Sequence, residues 1–446
     1  MPNSTHRHRI RLSSGKRRGA PLLIWITAAG IGLAAVLLGL SSAWSFRLFE
    51  SLCERWWWWP FLALPAGGLA ITWAMRRVGP GTEGSGIQQA VAALRVADSP
   101  ERAGVLLSLR LAAAKFLAII AGLGSGFVLG LEGPTVQVGA SMLYAARRFE
   151  PRDNAVTRRQ LILAGGSAGI AAAFNAPLAG LMFAFEELAH SMEWRASGKL
   201  VLAVVFAGAT TYCLRGDHVF FGSIASGPQP LFLLALIAVM AVCGGLIGGA
   251  FSWLAIRSYK WLPKPILRLQ QRRPYVFVLL CALTVAVAGL GAPIFGSGSE
   301  LTFELLHSQK QVSWLYAPLK FVGFLATSLS GLPGGIFTPS LSVGAGMGTW
   351  FAALADPAWR PEILAVGMTA VLAGVTRAPL TSAFIMIEMT AGRTISLELL
   401  LAAMLAAHVA RLFHVRFYHQ LADRVLRALE RREPGSAEKN DQIEAV

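Results

Sequence analysis

Charge is scarce in this chain. Asp, Glu, Lys and Arg together make up 14% of its 446 residues, against 54% hydrophobic residues, and the mean hydropathy is +0.55. Ordinary soluble domains carry about a quarter charged residues, so that class is excluded and a membrane protein is indicated. Cysteine is almost lacking too. Cys53, Cys213, Cys243 and Cys281 stand far apart, without metal or redox spacing, and are read as buried packing residues rather than disulfides. There is no HExxH, no P-loop and no paired-cysteine motif. The Glu-x-x-His of Glu187 to His190 lacks the second copy that a di-iron carboxylate site needs. A polytopic membrane enzyme is therefore disfavoured, and neither cofactor nor metal is expected.

What is abundant is apolar sequence. Runs long enough to enter a bilayer recur near 21–46, 58–75, 104–146, 160–185, 200–214, 229–256, 276–295, 318–346, 363–387 and 395–413. With so many, the basic-then-apolar start reads as a first spanning helix rather than a cleaved signal. The net charge of +16 collects at both ends and in short connections such as Arg257 to Arg273. That is the positive-inside pattern rather than a nucleic-acid patch. It places both termini in the cytoplasm, with a basic arm at 1–20 and a short tail at 431–446. The charge-neutral connection at 215–229 falls outside, and the four tryptophans from Trp56 suit the outer interface.

Two halves joined on the outer face have opposite orientations, which predicts an inverted repeat over about 21–215 and 229–413. The repeat is legible. "GSGIQQAVAAL" from Gly84 matches "GSGSELTFELL" from Gly296, and "AAKFLAIIAGLGSGFVLGLEGPTVQVGA" matches "PLKFVGFLATSLSGLPGGIFTPSLSVGA", with Lys115 facing Lys320 and Pro134 facing Pro339. "FNAPLAGLMFAFEEL" matches "TRAPLTSAFIMIEMT". Three pairs in one order indicate duplication; glycine-rich helix packing explains the glycines but not the shared KF and APL elements.

Each half contains a Gly/Pro-broken apolar segment, read as one helix ending at mid-depth and another beginning. A helix N-terminus offers free N–H groups and about half a positive charge. Two of them meeting at the bilayer centre make an anion site without a basic side chain, weak enough to release its ion. Ile336 and Phe337 present backbone amides in an apolar lining, and Ser85 adds a hydroxyl at a third break. Between Lys115 and Arg147, Glu132 is the only charged residue. A carboxylate at such an N-terminus is a tethered anion that competes with a mobile one, and an intramembrane acid is functional by default; the alternative is a purely structural helix cap.

These motifs resemble the CLC family of chloride channels and proton-coupled chloride transporters, bacterial type. The signatures are GSGIQ (84–88), GLEGP (130–134), AAAFNAPLAGLMFAFEE (171–187), GGIFTPSLSVGAGMG (334–348), TRAPLTSAFIMIEMT (376–390) and the tyrosine of VRFYHQLADRVL (415–426). The resemblance covers about 21–430 and implies an all-α polytopic fold of two inverted repeats of tilted, broken helices plus a C-terminal helix. It implies that Glu132 is the external gating glutamate and Glu187 the internal proton-transfer glutamate. Ser85 and Tyr418 are implied as the hydroxyl pair on the central anion, with amide donors from Gly130, Leu131, Gly133, Gly335, Ile336 and Phe337. Chloride/proton antiport follows, with a passive chloride channel as the alternative. The resemblance further implies a homodimer with one pathway per subunit in the bacterial inner membrane. It implies no adenine-nucleotide regulation through CBS modules, for which the stretch after Leu429 is too short. Two residues depart from the family: Gln88 stands where proline is usual, and Leu131 where a basic residue is usual. Glu186 reads as a solvated helix end, and Glu388 as structural, paired with Arg377 or another buried cation.

Overall fold

Backbone polar groups have no water to bond inside a bilayer, so apolar segments fold as helices. The computed structural model describes residues 5–79, 81–150, 153–188, 197–216, 219–224, 231–308 and 310–431, with the side chains of 5–21, 197 and 231 left aside. The tail beyond 431, His190 and parts of the 215–229 connection lie outside the described residues. The first half comprises α1 (Thr5–Arg55), α2 (Trp59–Val78), α3 (Ile87–Arg95), α4 (Pro100–Leu106) and α5 (Leu109–Gly124). It continues with α6 (Glu132–Ala146), α7 (Ala155–Phe174), α8 (Pro177–Phe183), a π-helical turn at Ala184–Leu188, and α9 (Ser197–Arg215). The second half comprises α10 (Leu231–Ile256), α11 (Ser258–Trp261), α12 (Lys264–Arg272), α13 (Pro274–Ala288), α14 (Ser299–His307) and α15 (Tyr316–Leu329). Then follow α16 (Phe337–Ala352), α17 (Arg360–Thr376), α18 (Pro379–Met389), α19 (Ser396–Ala410) and α20 (Phe417–Glu430). The architecture is all-α.

Among the described residues, six helical stretches are long and apolar enough to span a membrane, or seven if the bent pair α12–α13 counts as one. The ten expected runs are reduced because several fold as two short helices. The run at 104–146 breaks between Gly124 and Glu132, and that at 318–346 between Leu329 and Phe337. The runs at 160–185 and 363–387 break as well, before Pro177 and before Pro379. Asn175 and Arg377 take left-handed backbone, φ 53° and 60°. Each is followed by an alanine and then a proline, which starts the next helix.

Helix α1 runs unbroken from Thr5 and so takes in most of the basic segment 1–20. One other expectation needs correction. The cysteines are not uniformly buried: Cys281 is, Cys53 and Cys243 are half-buried and Cys213 is exposed, all with free thiols. The tryptophan cluster sits exposed at the α1–α2 turn, with Trp57 74% accessible.

The helices of the two halves recur in one order, and their tightest crossings are the same crossing twice. In α6 against α7, a Cβ on Gly165 would fall 2.7 Å from the carbonyl carbon of Gly139; in α16 against α17, a Cβ on Gly344 would fall 2.5 Å from the Gly367 carbonyl oxygen. Only glycine permits backbones that close, and close approach is how membrane helices gain packing energy where lipid offers no hydrophobic drive. These crossings hold the N-termini of α6 and α16 in the interior, where both helices are buried almost throughout.

Candidate anion and proton pathway

The two broken segments meet at their glycines. Gly130 donates its N–H to the Gly335 carbonyl at 2.9 Å, and Gly335 donates back to Gly130 at 2.8 Å, a single antiparallel bridge. The two glycines occupy matching positions of the repeat, as do Pro134 and Pro339, so the pseudo-twofold relation passes through this contact. A Cβ on Gly130 would lie 3.1 Å from the Gly335 oxygen, and one on Gly335 would lie 3.0 Å from the Gly133 nitrogen. The close approach thus requires glycine on both strands.

Immediately after the bridge, α6 starts at Glu132 and α16 at Phe337, with Leu131 and Ile336 as N-caps that make no side-chain cap. The first-turn N–H groups of both helices are therefore directed at one region. Glu132 is 3% exposed. Its carboxylate turns back across the bridge: Oε2 lies where a Gly335 Cβ would be 2.7 Å away. It interacts with its own N–H and with that of Thr338 in the first turn of α16. The acid from one half is thus held on the helix N-terminus of the other. Oε2 itself takes no hydrogen bond among the described residues.

Ser85 and Tyr418 lie on the other side of Gly133. A Cβ on Gly133 would sit 2.6 Å from the Ser85 carbonyl oxygen, so the turn before α3 is pressed against the start of α6. Tyr418, fully buried, reaches the Ser85 hydroxyl from the first turn of α20 and is within electrostatic reach of both Glu132 and Glu187. Its ring packs edge-on to Phe337 at 6.3 Å between centroids. Neither the Ser85 nor the Tyr418 hydroxyl completes a full-geometry hydrogen bond among the described residues. Two buried hydroxyls without acceptors, beside a converging pair of helix N-termini, form a donor set for an anion. A cavity of about 870 Å³ runs from Ser85 and Gly335 past Leu421 to Arg76 and Arg424, joining this region to the face that carries α20.

Gln88, which departs from the family, keeps the turn in shape by its side chain. Its Oε1 accepts the Gly86 N–H at 3.3 Å and its Nε2 donates to the Glu83 carbonyl at 3.4 Å, while Gly84 and Gly86 have φ of 69° and 110°. Leu131 is half-buried and packs against the core.

Glu187 lies on the π-turn that ends α8 and is 5% exposed. A π-turn inserts an extra residue and often marks a functional position. Here it sends the two consecutive acids in different directions. Glu187 faces His419 of α20, with 3.9 Å from Oε1 to Nε2, and Arg416 is a further charge within its reach. Glu186 points to α18, where it accepts from the N–H groups of Leu380 (3.2 Å) and Thr381 (2.7 Å). It is a cap for the opposite half rather than a solvated helix end. Glu388 reciprocates, accepting from Leu178 (3.1 Å) and Ala179 (2.7 Å) at the start of α8. Its partners are thus backbone amides and not Arg377, whose guanidinium donates to the Val415 carbonyl at 3.2 Å.

Sequence reasoning paired Lys115 with Lys320 but assigned neither a task. Both are completely buried. Lys115 donates to the Gly84 carbonyl at 3.1 Å, and Lys320 donates to Ile294 at 2.7 Å and Gly296 at 2.9 Å. Each lysine ties down the Gly-Ser-Gly turn of its own half. The repeat alignment was the available signal, since it placed a charged residue at one position of both halves.

The family model described as Voltage gated chloride channel matches residues 67–411. The chain is a member of the CLC family. An H(+)/Cl(-) exchange transporter ClcA from Vibrio parahaemolyticus is 32% identical over 334 residues, covering 70% of this chain and 69% of that protein. The protein of the same name from Klebsiella pneumoniae is 27% identical over 451 residues, covering 95% and 93%. A solved structure described as a slow cyanobacterial Cl-/H+ antiporter has a TM-score of 0.73 at 24% identity, over 92% of this chain and 99% of that one. That likeness is one of fold, and it extends over nearly the whole chain.

Proposed function

We propose that this CLC protein is a secondary transporter that exchanges chloride for protons across the membrane. The observation that carries the reading is Glu132: a buried carboxylate resting on the N-terminus of α16, where an anion would be held, with one oxygen unpartnered among the described residues. As an anion it competes with chloride for the N–H groups; once protonated it loses the attraction that holds it there and carries a proton as it leaves. The amides of Gly130, Leu131, Gly133, Gly335, Ile336 and Phe337, with the hydroxyls of Ser85 and Tyr418, are the proposed chloride ligands. Glu187 is the proposed internal proton acceptor. A second buried acid toward the α20 face is what an exchanger needs and a passive channel does not. The curated relatives named as H(+)/Cl(-) exchange transporters support the same choice.

In this reading the chain is a transporter rather than an enzyme, needs no cofactor, and moves chloride and protons only. It sits as a homodimer in the bacterial inner membrane with both termini in the cytoplasm, and its membrane domain divides into the two repeats stated above. In proteoliposomes, an outward-to-inward chloride gradient should drive proton movement against the proton gradient, and Glu187→Gln should abolish the proton arm while chloride still moves. Chloride flux in the unsubstituted protein without accompanying protons would instead identify a channel.

A further inference from the structure

Glu187 is the proposed internal proton carrier, yet its side chain is only 6% exposed. Protons therefore need a path between it and water. The group beside it is His419, whose Nε2 stands 3.9 Å from Oε1 and whose side chain is 13% exposed. On the other side of the ring, Nδ1 lies 3.0 Å from Nη2 of Arg95 in α3. Arg95 is in turn ion-paired through Nη1 with Asp423, one helical turn after His419 on α20; these two side chains are 37% and 48% exposed. The four residues form a continuous polar series from solvent to the buried acid.

Chemistry orients this series. A guanidinium only donates, so the nitrogen it faces must accept, and the neutral ring carries its proton on Nε2, toward Glu187. The other charges around the pair are Arg416 at the start of α20 and Glu186 on the π-turn, the latter already committed to the amides of α18. Among side chains able to take and give a proton near neutral pH, histidine is the one suited by its ordinary ionisation.

We propose that His419 is the relay that passes protons between water and Glu187, with Arg95 and Asp423 as the element that opens it. This rests on the exchange reading above. As the Arg95 N–H withdraws toward Asp423, a hydronium ion at the solvent end breaks one O–H bond, gives that proton to Nδ1 and leaves as water. The resulting imidazolium breaks its Nε2–H bond, and that proton forms the O–H of Glu187. One proton enters and one leaves, and the ring is left neutral with its proton on Nδ1. It returns to the Nε2–H form when Nδ1 gives that proton to a water and Nε2 takes one back from the hydronium so formed, through the same opening. The same steps run in reverse for proton exit. Because His419 follows Tyr418 directly, the first turn of α20 would serve the anion with one residue and the proton with the next.

The test uses the full-length protein in proteoliposomes. His419→Gln keeps a polar side chain of similar size but cannot be protonated; His419→Ala leaves room for a free ring. Both should reduce chloride-driven proton transport by at least about tenfold and remove the component of its pH profile that titrates with an imidazole. Chloride binding by calorimetry should persist and show that the site is folded. Imidazole added to the bath should restore proton transport in His419→Ala. The proposal is overturned if His419→Gln moves protons at the original rate and pH profile, or if glutamine restores what alanine loses while imidazole restores nothing, since His419 would then only position Glu187. If the unsubstituted protein moves no protons with chloride, the exchange reading itself has failed, an outcome separate from a working exchanger indifferent to His419.

Discussion

Glu132 is the residue on which the reading turns, and it is testable alone. Glu132→Gln keeps the size and hydrogen-bonding reach of the protonated acid but cannot ionise. It should leave chloride flux in place while abolishing proton coupling and flattening the dependence of flux on pH, measured with paired chloride and proton electrodes. Gly335 makes a harder demand. A methyl there would approach Glu132 Oε2 to 2.7 Å and the Gly133 nitrogen to 3.0 Å, and the second neighbour is backbone that cannot step aside. Gly335→Ala should therefore open the bridge to Gly130 and weaken chloride binding at least about tenfold, the equivalent of roughly 1.4 kcal/mol, read by isothermal titration. Gln88 is a milder case. Its backbone N–H falls in the first turn of α3 and gives up no helix bond to proline, but the side-chain bonds to Gly86 and Glu83 are lost, so Gln88→Pro should lower chloride transport, and by less than Gly335→Ala does.

Among the helices, the informative feature is the exchange of caps between halves. Glu186 satisfies the amides that start α18 and Glu388 those that start α8, and the two acids hold matching positions of the repeat. Each cap replaces orphaned N–H groups that neither water nor lipid would serve well, and a carboxylate at a helix start also meets the favourable end of the dipole. Glu186→Gln and Glu388→Gln should each lower stability by about 1–2 kcal/mol, visible as similar downward shifts in thermal unfolding in detergent. The pair should add nearly linearly because each acid serves a different helix. A loss confined to Glu186→Gln would show that only one cap matters. From sequence, two acids ending an apolar helix look solvated, because their acceptor role depends on amides about two hundred residues away. The π-turn that separates Glu186 from Glu187 is equally invisible to a pattern of apolar residues, which does not change when one extra residue is accommodated in a turn.

Over the whole molecule, the two buried lysines are what keep the halves in register with their own turns. Lys320 serves two carbonyls, at 2.7 and 2.9 Å; Lys320→Met would leave both buried and unpaired, a loss of about 1–3 kcal/mol for each. The substituted protein should accumulate poorly or unfold well below the original temperature, judged by size-exclusion chromatography after heating. Much of the plan was legible beforehand because it rests on local chemistry. Apolar runs require helices in lipid, Gly and Pro break them, and a duplicated gene repeats its breaks, so the membrane class, the repeated motifs, and Ser85, Glu132, Ile336 and Phe337 as candidate residues could be named from the residues, with Gly335 added by the family resemblance. What spacing could not reveal was contact. That Glu132 rests on α16 rather than its own helix alone, that Glu388 caps α8 and not a cation, that Lys115 holds Gly84, and that His419 stands between Arg95 and Glu187 are all meetings of residues far apart in the chain. Sequence pattern encodes which face of a segment is apolar and where it must break; which polar groups then share the few dry, enclosed positions is decided only when the broken helices cross, because an unpaired polar group there is too costly to leave without a partner.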